Sequence, residues 1–106
     1  MRETTYQGKL IGEIKKRFPG AIVLKNDTSY QQGIPDLSVF FGPRWATLEV
    51  KIDIDADEQP NQGYWVARMN DMSYSSFIYP QNEVEVLREL QHALEPRRHP
   101  RFLKSE

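Results

Sequence analysis

The sequence predicts a single α/β domain in which a short mixed β-sheet is flanked by helices. Its 106 residues fit one domain. A helical hydrophobic pattern comes first, three strand-like segments follow, and another strand-like segment lies between two further helical patterns. We expect the domain to span residues 1–96 and residues 97–106 to form a basic C-terminal tail. A chain of this length buries only a modest core, so a partner subunit would help to cover apolar surface.

The first helix is predicted at residues 4–18. Thr4 and Gln7 resemble a capping box that starts the helix at Thr4 and leaves Glu3 outside it. Pro19-Gly20 ends the pattern. The apolar stripe of this helix consists of Leu10, Ile11, Ile14 and Phe18.

Short apolar segments predict four strands, at residues 21–25, 37–41, 45–51 and 76–79. The first of them is interpreted as a buried strand. Gly42-Pro43 predicts a hairpin between the second and the third. The two remaining helices are predicted from Asn61 to about Asn70, and between Asn82 and Pro96.

The composition excludes several classes of protein. The sequence has no cysteine, which rules out disulfides and thiolate metal sites. His92 and His99 are too few nitrogen ligands for an ordinary zinc site. No segment has the length of a transmembrane helix, and residues 1–5 lack the apolar core of a signal peptide. We therefore expect a soluble, intracellular, cytoplasmic protein with no membrane partner.

Charge is distributed unevenly along the chain although the net charge is only −1. Residues 1–35 carry six basic and three acidic side chains, residues 36–72 carry three and seven, and residues 73–106 carry five of each. This arrangement would suit a metal-dependent enzyme that acts on nucleic acid, because the carboxylates would bind cations and the flanking basic groups would bind phosphates. Ordinary scatter on a solvated surface is the alternative, and charge alone favours it.

The central candidate site consists of Asp36 and the segment Glu49-Val50-Lys51. Asp36 comes where the second strand begins, and the hairpin can bring it to Glu49 in the third strand. Alternation along a strand places Glu49 and Lys51 on one face and Val50 on the other, in the core. Phosphodiester hydrolysis needs a hard cation, an activated water and positive charge near the transition state. The residues alone support two interpretations about equally: Asp36 and Glu49-Val50-Lys51 form a metal site, or they are two unrelated surface features.

This pattern resembles a known family. The matching segments are Gly33-Ile34-Pro35-Asp36-Leu37 and Leu48-Glu49-Val50-Lys51, which are similar to the PD-(D/E)xK nuclease superfamily and, more closely, to its VRR-Nuc branch of virus-type replication and repair nucleases. The resemblance covers residues 5 to about 90. It implies a restriction-endonuclease-like fold and a Mg²⁺-dependent endonuclease that hydrolyses DNA phosphodiester bonds, with Mn²⁺ able to replace Mg²⁺.

The resemblance also implies roles for individual residues. Asp36 and Glu49 would ligate the metal, with the Val50 carbonyl as a third ligand. Lys51 would act on the attacking water or on the transition state. Gln62, at the start of the second helix, would steady the site or a phosphate.

A glutamate from the first helix often completes the site in this family. Glu13 is the candidate here, because Glu3 precedes the predicted helix. The alternative for Glu13 is a surface charge that pairs with Arg17 four residues further on.

Six side chains are candidates for contacts with DNA: Lys9, Lys15, Lys16, Tyr30, Arg97 and Arg98. The lysines would face phosphates from the first helix, and the arginines would do so from the tail. Tyr30 lies in a polar loop, where it would either stack on a base or cover the core.

The smallest proteins of the family that this sequence resembles are mostly viral or bacterial. A viral protein of this kind would work in the host cytoplasm. The resemblance implies selective cutting of branched DNA such as Holliday junctions, whose two-fold symmetry suits a homodimer. The second helix carries an apolar stripe that suits core or dimer packing better than base stacking: Tyr64, Trp65, Met69 and Met72. The alternatives are a non-selective or nicking nuclease with the same site, and a DNA-binding module on a catalytically inactive nuclease fold.

Overall fold

A computed structural model describes residues 1–96 of the chain. The predicted basic tail at residues 97–106, with Arg97 and Arg98, lies outside the described residues. The elements in chain order are α1 (Glu3–Arg17), β1 (Ile22–Lys25), β2 (Leu37–Phe41), β3 (Arg44–Val50), α2 (Gln62–Met72), β4 (Tyr74–Ile78) and α3 (Glu83–Leu94). No helix in this part of the chain is long and apolar enough to cross a bilayer.

The four strands form one mixed sheet in the order β1-β2-β3-β4. Neighbouring strands are antiparallel from β1 to β3, and β3 pairs with β4 in parallel, with α2 in the connection between them. Gly42 and Pro43 form the turn of the β2–β3 hairpin, where Gly42 has φ +59°, which glycine adopts at no steric cost. The expected α/β class, the short mixed sheet and the hairpin are confirmed.

The two faces of the sheet differ in character. One face contributes Leu48 and Val50 to a buried core packed by α1 and α3. On the other face the hydroxyl of Thr47 donates to the Ser75 hydroxyl over 2.8 Å, and α2 packs against this polar surface. Because the side chains of β3 alternate, Glu49 points away from the core and towards α2.

Two local predictions are wrong. Helix α1 begins at Glu3, with Arg2 as its N-cap, so the capping box at Thr4 does not define its start. The first strand is an edge strand rather than a buried one, because β1 has a neighbour on one side only and its Ile22 and Leu24 are exposed. The other helix and strand bounds agree with the sequence-based ones to within about two residues, the uncertainty usual at element ends.

Candidate active site

Asp36 lies immediately before β2, at the open end of the β2–β3 hairpin. Leu37 pairs with Leu48, so the register brings Asp36 beside the end of β3. Its Oδ2 atom accepts a hydrogen bond of 2.9 Å from the backbone N–H of Val50. The hairpin thus fixes the carboxylate next to the Glu49-Val50 peptide.

Glu49 is a buried carboxylate, with only 2% of its surface exposed. Its Oε2 atom accepts a hydrogen bond from Gln62, and the strand register sets its side chain opposite Asp36. Burial and then the negative charge of Asp36 raise the pKa of Glu49 to about 9, while the charge of Lys51 acts in the opposite direction. Among residues 1–96, no group forms a hydrogen bond with the buried Oε1 atom of Glu49.

Lys51 follows β3 and lies on the same side of the sheet as Glu49. Its backbone N–H donates to the Ile78 carbonyl over 2.9 Å, which continues the parallel pairing by one residue. The side chain is 7% exposed, and its Nζ atom donates to the Asp57 carbonyl over 2.9 Å. The ammonium group is therefore held in a buried position from which its charge acts on Glu49.

Gln62 is the first residue of α2 and connects this helix to the sheet. Its Nε2 atom donates to Oε2 of Glu49 over 2.8 Å, and its Oε1 atom accepts from the backbone N–H of Gln59 over 2.8 Å. Both ends of the amide are thus satisfied. The structure places Gln62 on the glutamate, where the sequence pattern predicts it.

Helix α1 presents Glu3, not Glu13, to the candidate site. Partial burial and then the charge of Asp36 raise the pKa of Glu3 above its usual range, while Lys51 lowers it. Glu13 instead pairs with Arg17 over 2.9 Å, and both side chains are more than a third exposed. Ten residues of helix separate the two glutamates, which is about 15 Å at 1.5 Å per residue. The structure therefore places Glu13, the predicted metal ligand, in an exposed ion pair with Arg17 rather than beside Asp36 and Glu49.

The side chains at the site suit a hard cation. Within residues 1–96 no three His, Cys, Asp or Glu side chains lie close enough together to hold a metal by themselves. The oxygen donors that the site offers are the carboxylates of Asp36 and Glu49. Mg²⁺ binds through one or two carboxylates and keeps several waters, so this oxygen-only set fits Mg²⁺ better than zinc.

The loop before Asp36 touches the turn before Gln62 at Gly33. Gly33 has φ +90°, and a Cβ atom there would lie 2.7 Å from the carbonyl carbon and the Cβ of Asn61 and 2.8 Å from the Pro60 carbonyl oxygen. Asn61 itself is left-handed, with φ 71°. Only glycine allows this approach, which couples the position of the carboxylate to that of the amide.

Replacing Gly33 with alanine is expected to destabilise the fold and to disturb the site. Overpacking of this kind costs about 1–3 kcal/mol, and the turns that carry Asp36 and Gln62 must separate. Gly20→Ala is the matched control, since Gly20 has φ +91° but open space around its Cβ position. We expect both variants to melt earlier and only Gly33→Ala to lose Mn²⁺-induced stabilisation in a thermal shift assay. Equal responses to Mn²⁺ would contradict the coupling.

A cleft of about 210 Å³ opens beside the side chains of Asp36 and Gln62. Its described lining consists of Thr28, Gln32, Gly33, Ile34, Asp36, Gln59 and Gln62. Hydroxyl and amide groups predominate, and Asp36 is the charged member of that set. The cleft therefore opens the Asp36 carboxylate to solvent through a mostly polar lining.

The predicted DNA contacts are not gathered at this cleft. Lys9, Lys15 and Lys16 are exposed on α1, and the last two lie about 18–20 Å along the helix from Glu3. Tyr30 is 88% exposed, so it does not cover the core. The structure thus leaves these side chains free to contact an extended ligand and brings none of the three lysines into the carboxylate pair.

Comparisons of the chain with protein-family models, with characterised proteins and with solved structures give no match.

Proposed function

We propose that this protein is a metal-dependent DNA endonuclease with a restriction-endonuclease-like fold, of the PD-(D/E)xK type and its VRR-Nuc branch. One observation carries the proposal. The β2–β3 register sets Asp36 opposite Glu49, and Oε1 of Glu49 is buried with no hydrogen-bond partner among residues 1–96. Buried carboxylates in this arrangement need a proton or a cation between them.

The arrangement supports a division of roles. Asp36 and Glu49 would hold Mg²⁺, with the Val50 carbonyl as a further ligand. The ion, when bound, supplies positive charge to the scissile phosphate and activates a water. Lys51 orients that water or stabilises the charge that develops on the phosphate. Gln62 keeps the Glu49 carboxylate in place through its hydrogen bond.

The proposal is tested by cleavage of labelled DNA with Mg²⁺ and with a chelator. We expect products only with Mg²⁺, and we expect Asp36→Asn to lose both cleavage and Mn²⁺-induced thermal stabilisation. Asp55→Asn is the matched control, because Asp55 is exposed in the loop after Lys51. Cleavage that persists in the chelator, or an Asp36→Asn variant as active as the original protein, would contradict the proposal.

Two other functions use the same surface and give different products. A nicking nuclease would convert supercoiled plasmid to the open circular form and stop there. A catalytically inactive DNA-binding module would shift the DNA in a gel without cutting it. The presence of Asp36, Glu49 and Lys51 together at one end of the sheet favours the active endonuclease over the inactive module.

The proposal extends to a homodimer acting on branched DNA. On the face of the sheet that carries α2, Ile22 pairs with Phe40, and both are exposed, as is Leu24 beside them. Tyr64 and Met72 on α2 add exposed apolar surface, at 59% and 63%. A second copy that covers these residues would relate two sites by a two-fold axis, which matches the symmetry of a four-way junction.

We expect light scattering to give about twice 12.4 kDa for the protein in solution. Phe40→Glu should yield monomers, because a charge would be buried without a partner in the interface. Val84→Glu is the control, since Val84 is 77% exposed on α3.

Junction cleavage should exceed cleavage of linear duplex of the same sequence and should weaken with salt. A monomer that cuts both substrates equally would remove the dimer and the junction from the proposal.

A further inference from the structure

We propose that Asn26 is a positioning residue that holds Asp36 in its metal-binding geometry; this inference rests on the proposed function. The backbone N–H of Asn26 donates to the Asp36 carbonyl over 2.7 Å. Its side-chain Nδ2 atom donates to the Pro35 carbonyl over 2.8 Å and to the Ser38 hydroxyl over 2.9 Å. One residue thus binds the chain before, at and after Asp36.

The position of Asn26 explains this set of bonds. Lys25 and Leu37 are the last residues paired between β1 and β2. The bond from Asn26 to Asp36 adds one more step to that antiparallel pairing. Because the Pro35 carbonyl can only accept, the amide must turn its Nδ2 atom towards it, which fixes the plane of the peptide that leads into Asp36.

This restraint matters because one cation can bind both carboxylates only while Asp36 stays beside Glu49. Among residues 1–96, the hydrogen-bond donor to the Asp36 carboxylate is the backbone N–H of Val50. Replacing the Asn26 side chain keeps the backbone bond to the Asp36 carbonyl but removes the bonds to Pro35 and Ser38, so the peptide that leads into Asp36 is less restrained. Asn26 itself is partly exposed and stands outside the hydrophobic core, so its loss acts on the loop that carries Asp36.

The expected consequence is weaker metal binding with little change in the chemical step. Residues that orient a metal ligand typically change metal affinity by about 10–100-fold when they are replaced. We expect Asn26→Ala to raise the Mn²⁺ dissociation constant in calorimetry by a factor in that range, and to raise the Mg²⁺ concentration for half-maximal cleavage similarly. At saturating Mg²⁺ the rate should return to within a few-fold of the original. A purely structural role would lower the melting temperature and leave the metal affinity unchanged.

Two further variants keep the inference testable. Asn26→Leu preserves the size of the side chain, should Asn26→Ala fail to fold, and it should show the same loss of affinity. Ser38→Ala removes one partner of Asn26 but leaves the bonds to Pro35 and Asp36, so its Mn²⁺ affinity should stay within about twofold of the original. Unchanged Mn²⁺ affinity in both Asn26 variants, or equal losses in Ser38→Ala, would overturn the inference. Absence of Mn²⁺ binding to the original protein would instead overturn the proposed function, and the metal-positioning role with it.

Discussion

Replacing Lys51 with methionine is expected to lower the rate of DNA cleavage by about 10²–10³-fold, the usual cost of losing one preorganised charge at the reacting centre. The ammonium group is held in a buried position by its bond to the Asp57 carbonyl, and its charge acts on Glu49. Methionine keeps a long, unbranched side chain in that space. Removing a positive charge does not weaken the attraction of the carboxylates for a cation, so Mn²⁺ binding should persist.

Rates from single turnovers at saturating Mg²⁺ measure this effect, with Mn²⁺ calorimetry to show that the site still forms. Lys25→Met is the control for the change in overall charge, since Lys25 is an exposed lysine at the end of β1. Wild-type rates in Lys51→Met would remove the lysine from the mechanism. Loss of Mn²⁺ binding in the same variant would assign it a structural role instead.

Glu49→Gln is expected to abolish metal-dependent cleavage and, without metal, to make the fold more stable at neutral and alkaline pH. The folded-state pKa of Glu49 is raised to about 9, far above the value near 4.5 of an unperturbed glutamate. The protonated Glu49 side chain therefore makes its full contribution to the stability of the fold below pH 4.5, and this contribution is lost as the pH rises through 9. Between these values the stability of the original protein falls as the pH rises, because the unfolded chain releases a proton that the folded one keeps, whereas glutamine has no charge to bury.

Unfolding in denaturant at several pH values, in the presence of a chelator, tests this expectation. The difference in stability between Glu49→Gln and the original protein should grow from pH 5 to pH 9. Glu85→Gln serves as the control, because Glu85 is exposed in the first turn of α3 and should give no such growing difference. A constant difference across the pH range would mean that Glu49 stays ionised in the fold.

The parts of the site that lie on the hairpin could be predicted from the sequence. A short turn at Gly42 sets the register, and the register determines which residues stand opposite each other. Strand alternation then separates Glu49 from Val50. Because side chains along a strand alternate with a period of two, a register shift of one residue would place the Glu49 carboxylate in the core. The position of Gln62 follows from the family resemblance, which implies a glutamine on the helix after the third strand.

Contacts between distant segments could not be predicted in the same way. The capping pattern at Thr4 placed Glu3 outside the helix, although Glu3 precedes the buried Tyr6 by three residues and so continues the α1 stripe. Asn26 carried no motif, and its role depends on which backbone groups the loop brings to it. The apolar run at residues 21–25 predicts a buried strand, but hydrophobic runs alone do not distinguish edge strands such as β1 from central ones.

The bond between the Val50 amide and the Asp36 carboxylate also makes the site visible to magnetic resonance. Most amides in the sheet donate to peptide carbonyls, but this one donates to a group that would ligate the cation. Its proton resonance should therefore shift when a diamagnetic ion such as Mg²⁺ is added, and its exchange with solvent should slow as the carboxylate becomes fixed. A single amide signal would then report cation loading in real time, without DNA and without turnover.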